Sequence, residues 1–157
     1  MFSTSHAAVG TVIGAATGNP ILAFIFGIIF HFIFDLLPHG NEEMEFSDKN
    51  KLISILLQGL VDAYILIFII LFTSTFNVIE YSDAMFWGII GSIFPDLITG
   101  AIFLFKTKNW KISILEKFWD FHSNIQNVLP QGSFITGLTI QLFVFILAYG
   151  VLFAYYI

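Results

Sequence analysis

The 157-residue sequence has no cysteine and no arginine. The first absence excludes disulfides and any thiolate metal site. The second removes the planar guanidinium fork that grips phosphate with two parallel hydrogen bonds, so the only permanent cations are six lysines. Charge of either sign is scarce: it makes up 11% of residues, where a soluble domain carries about 25%. With 57% of residues hydrophobic, the composition points to lipid as the outer solvent, and the net charge of −5 argues against nucleic acid as a partner. Residues 1–5 lack the basic run that opens a cleavable signal.

The apolar residues that are present fall into segments. Residues 6–17, HAAVGTVIGAAT, are small and short, reaching about 20 Å at 1.5 Å per residue, so a half-span that packs through its Ala and Gly surface is expected. A Gly18-Asn19-Pro20 turn leads to a lipophilic helix over 21–37, and an acidic loop spans 39–48. Apolar segments follow at 52–76, 84–105 and 133–157. The polar stretch between the last two contains KISILEKFWDFHSNIQNVL, whose helical alternation predicts an amphipathic interfacial helix. The expectation is one all-α domain over 1–157, a polytopic membrane bundle of about five membrane-embedded helices plus the amphipathic one. All six lysines fall on one side of the 52–76/84–105 hairpin, and the positive-inside rule makes that side cytoplasmic.

Against this background the ionisable residues inside apolar helices stand out, because each is costly there. They are His31, Asp35, Asp62 and Asp96, with His6, His39 and His122 at interfacial depth. Counted from the cytoplasmic end, His31 lies about 10 Å down and Asp62 and Asp96 about 15 Å, so five segments direct polar residues into the same half. His31 and Asp35 are i and i+4, on one helical face. Ser54, Gln58 and Asp62 form a polar stripe, and Ser92, Asp96 and Thr99 share a face beside Pro95, which leaves the Gly91 carbonyl without its usual donor. Two rival readings accompany each residue: a hydrogen-bonded structural network, or a solvated surface for the acidic run and Asp120.

Imidazoles and carboxylates without thiolates suit a divalent ion, zinc foremost, with Mn or Fe as alternatives. The candidate metal ligands are His6, His31, Asp35, His39 and His122; Asp96 and Asp62 are the candidate catalytic carboxylates. Such a set suits metal-assisted hydrolysis, with a carboxylate as general base.

SHAAVG at 5–10, HFIFDLLPHG at 31–40 and the His122-Ser123 pair resemble the membrane-bound metal-dependent hydrolase family, also described as LexA-binding inner-membrane hydrolases. The chain departs from that family's Pro-Asp-x-Asp-His cluster, since Asp35 precedes Pro38, and reads EKFWDFHS before the His-Ser pair. The resemblance implies a metal-dependent hydrolase of a prokaryotic cytoplasmic (inner) membrane. Together with the residues it gives the expected function, hydrolysis of a phosphoester of a lipid or lipid-like substrate at the cytoplasmic face. The alternative is a small transporter or substrate-binding transport component whose His/Asp cluster binds a cation or relays protons. Its weakness is that the far halves of the helices hold almost no polar residues.

Overall fold

The computed structural model describes residues 1–38, 48–76, 78–107, 112–130 and 132–156. Within them the chain forms six helices: α1 Ser3–Thr17, α2 Pro20–Asp35, α3 Asp48–Thr75, α4 Asp83–Thr107, α5 Ser113–Gln126 and α6 Phe134–Tyr156. The turn between α1 and α2 follows from its three residues. Gly18 takes the left-handed conformation (φ 58°) that ends α1. Asn19 caps α2 by accepting from the Ile21 and Leu22 amides, and Pro20 occupies the first turn, where no amide hydrogen is needed.

α1 is the axis of the bundle, touching α2, α3, α4 and α6. No residue between Ser3 and Ala15 is exposed. Its small side chains allow this: a Cβ on Gly10 would run into the Gly88 carbonyl and Ser92 Oγ, and one on Gly14 into the backbone of Ala84 and Met85. α2 packs on α4 in the same way. A Cβ on Gly27 would meet the Gly88 carbonyl at 2.7 Å and the Ser92 nitrogen at 2.8 Å. The buried row of α2 is Ala23, Gly27, His31 and Asp35, at four-residue steps, so two small residues bring the backbones together and the next two turns deliver polar side chains. Ile21, Ile25, Ile29 and Ile33 form the opposite, exposed row.

The expected five membrane-embedded helices are not found. By length and composition, two helices among the described residues can cross a membrane, Asp83–Phe103 within α4 and Ile135–Ala154 within α6. The reasons are physical. α1 and α2, at 15 and 16 residues, reach only about 22–24 Å, short of a hydrocarbon core of about 30 Å, and α1 is enclosed by other helices. In α3 the apolar portion among the described residues is Gly59–Thr75, which reaches about 25 Å. α5 is the amphipathic helix expected from the pattern.

Candidate metal centre

Three helices bring four side chains to one point. α2 supplies His31 and Asp35, α4 Asp96 and α5 His122, with one donor atom from each within 4.8 Å of every other. His31 Nε2 and His122 Nε2 are 3.2 Å apart. Asp35 Oδ2 lies 3.3 Å from the first and 2.9 Å from the second. Asp96 Oδ1 stands farther off, at 3.7 and 3.8 Å. The side chains of His31 and Asp35 are sealed and that of His122 is 2% exposed, whereas Asp96 is 25% exposed. The cluster therefore has three enclosed corners and one open one.

The remaining nitrogen of each imidazole fixes its tautomer. His31 Nδ1 is 2.7 Å from the Ser92 carbonyl, which can only accept, so Nδ1 carries the hydrogen. His122 Nδ1 is 2.6 Å from Thr99 Oγ1. The Thr99 hydroxyl donates to the Pro95 carbonyl at 2.9 Å, so its oxygen is left to accept from His122. In both rings Nε2 then presents a lone pair to the other ring and to two carboxylates. Positive charge, as an ion or a proton, is what can hold such a set together.

The donors fit a small divalent ion. Tetrahedral coordination at 2.0–2.1 Å puts neighbouring donor atoms about 3.3–3.4 Å apart. The separations of 2.9, 3.2, 3.3, 3.7 and 3.8 Å lie on either side of that edge, so small side-chain adjustments close it. This buried pair of histidines and pair of aspartates is capable of coordinating a metal ion.

A second layer of contacts orients Asp35. His6 Nε2, from α1, lies 3.0 Å from Oδ1, the oxygen turned away from the other histidines, and the His6 ring stacks on His31 at 4.1 Å. The Met1 nitrogen is also 3.0 Å from Oδ1. Gln126, one turn after His122, donates to Oδ2 at 3.1 Å. Burial dominates at His6, pushing it down to about 3, so its ring is neutral at physiological pH.

The candidate residues from the sequence are thus distributed unevenly. His31, Asp35, Asp96 and His122 converge, and His6 reaches the back of Asp35. Asp62 sits elsewhere: its carboxylate caps the start of α1, accepting from the Ser3 amide at 2.6 Å, the Thr4 amide at 3.2 Å and the Thr4 hydroxyl. His39 lies outside the described residues, as do the side chains of Ser54 and Gln58. Gln126 was not singled out by sequence; its signal was the four-residue step from His122. Thr99 was placed on the Asp96 face, but its bond to His122 spans two helices and has no local signature.

No protein family, curated protein or solved structure matches this chain.

Proposed function

We propose that this protein is a membrane-bound metal-dependent hydrolase, with zinc as its ion, that cleaves a phosphoester of a lipid or lipid-like substrate at the cytoplasmic face of a prokaryotic inner membrane. The observation that carries the reading is the asymmetry of the cluster. Three enclosed donors, His31, Asp35 and His122, would hold the ion, and the fourth corner, Asp96, is open and more distant, which is the pattern of a catalytic site with one replaceable position. A bound divalent ion would supply a Lewis acid for a phosphoryl oxygen and make water more acidic.

The protein's own residues do the rest. Ser92 and Thr99 hold both imidazoles with Nε2 inward. His6 and Gln126 hold the Asp35 carboxylate in place. Asp96 Oδ1 takes the proton of the attacking water as its oxygen bonds to phosphorus, the ester P–O bond breaks, and Asp96 returns that proton to the leaving oxygen so that it departs as the alcohol. Lipid as the source of substrate is supported by the position of Asp96 on α4, a helix long and apolar enough to cross a membrane. It is supported too by the exposed apolar rows of α2 and α3, including Ile25, Ile29, Leu60 and Phe68. The resemblance of SHAAVG, HFIFDLLPHG and His122-Ser123 to membrane-bound metal-dependent hydrolases points the same way.

Metal analysis of the detergent-purified protein tests this, beside His31→Ala and Asp35→Ala. One equivalent of zinc in the wild type, lost in both variants, is expected, together with turnover of a chromogenic phosphodiester. Absence of stoichiometric metal after mild purification overturns the reading. Stoichiometric metal without turnover favours the transport alternative.

A further inference from the structure

α5 is attached to the bundle in an unusual way. His122 is the one buried residue among its 14, and among the described residues α5 touches α2 and α4 alone of the helices. Ile114 and Phe121 are 74% and 50% exposed, and Leu115, Phe118, Trp119 and Ile125 are only half-buried, so burial of apolar surface holds α5 down in part. Phe32 provides one apolar contact, with its ring 5.2 Å from Phe121 and 5.6 Å from His122. The polar contacts between α5 and its neighbours include those of His122 and Gln126 with Asp35 and Thr99. A helix of this length is marginal in water by itself. Its docking therefore depends on the cluster that it completes.

The electrostatics of that cluster decide whether docking is favourable. His122 Nε2 faces His31 Nε2 at 3.2 Å and Asp35 Oδ2 at 2.9 Å, and each of these atoms offers an electron pair. With an ion or a proton between them the contacts attract; with neither they repel, in a place where water cannot screen them. We propose that the cation bound by His31, Asp35, Asp96 and His122 docks α5, so that α5 is a metal-latched wall of the site that swings away from α2 and α4 when the ion leaves. This rests on the reading that the cluster takes a divalent ion, and it goes further by coupling that ion to helix position. Opening the wall exposes His31 and Asp35, which are sealed when α5 is docked, and gives the ion a way in and out.

The absence of native cysteine makes the test direct. Asp120→Cys on α5 and Ile29→Cys on α2 are both exposed positions and carry a pair of spin labels without background. Pulsed dipolar spectroscopy of the full chain in detergent is recorded with zinc and after chelation by EDTA, with zinc content measured on the same samples. The expected result is one narrow distance with zinc, a shift to longer and broader distances after chelation, and recovery when zinc is returned. His122→Gln in the labelled protein should give the broad distribution under both conditions. If that variant does not fold, the zinc and EDTA comparison still decides. An unchanged narrow distance in protein shown to have lost its zinc overturns the latch and leaves the metal reading standing. A protein that takes up no zinc overturns both.

Discussion

Replacing Thr99 with valine removes one oxygen and keeps the shape of the side chain. Thr99 Oγ1 accepts from His122 Nδ1 at 2.6 Å because its own hydrogen is committed to the Pro95 carbonyl at 2.9 Å. Without that acceptor the His122 ring is free to carry its hydrogen on Nε2, where it points into the cluster and competes with the ion. Loss of such an orienting partner costs about 10–100-fold in metal affinity, or about 1.4–2.7 kcal/mol. Competition for zinc against a chromogenic chelator, in detergent, measures this. Thr99→Ser keeps the oxygen and should bind like the wild type, and thermal unfolding followed by circular dichroism separates weakened binding from weakened folding. A valine variant that is folded and binds zinc within about twofold of the wild type, well inside the expected loss, would refute the tautomer assignment on which the metal centre is built.

Three further outcomes are expected. Gly27→Ala places a methyl group 2.7 Å from the Gly88 carbonyl and 2.8 Å from the Ser92 nitrogen; because backbone rather than side chain must give way, a loss of about 1–3 kcal/mol should be visible in a denaturant titration, and zinc affinity should fall with it as Ser92 is displaced. Asp62→Ala removes the cap on α1 and should cost about 0.5–2 kcal/mol of stability with zinc binding to the remaining folded protein unchanged, so a selective loss of zinc there would assign Asp62 to the site after all. His6 has a folded value of about 3 against 6.5 ordinarily: its contribution is complete above pH 6.5 and is lost as pH falls toward 3, with a slope of up to about 1.4 kcal/mol per pH unit. Melting curves between pH 7 and 4 should show this slope in the wild type and a shallower one in His6→Gln.

Which residues matter was legible in the chain because the background is so nearly empty of charge. A carboxylate or imidazole within an apolar helix is costly wherever the helix goes, so His31, Asp35, Asp62 and Asp96 identify themselves before any contact is known, with His6, His39 and His122 beside them at interfacial depth. The four-residue step from His31 to Asp35 is equally local, since helical geometry alone places both on one face. The same holds for the Gly18-Asn19-Pro20 turn and for the amphipathic pattern of α5.

What the chain alone did not decide is which of these residues meet. Asp62 and Asp96 have similar depth and similar surroundings in sequence, yet one caps the start of α1 and the other forms the open corner of the cluster. That difference is set by how α3 and α4 rotate about α1. Burial was likewise decided in three dimensions. The small residues of α1 announce close packing, but only the folded chain shows with what: its glycines let α4 approach until the backbones meet, and α1 lies at the centre of the bundle. Among the described residues two helices, not about five, are long and apolar enough to cross a membrane, because α1 and α2 are too short and the described apolar portion of α3 is short as well. Hydrophobicity is a property of the residue, whereas its partner, lipid or protein, is chosen by close packing, and so is the convergence of His31, Asp35, Asp96 and His122 from three separate helices.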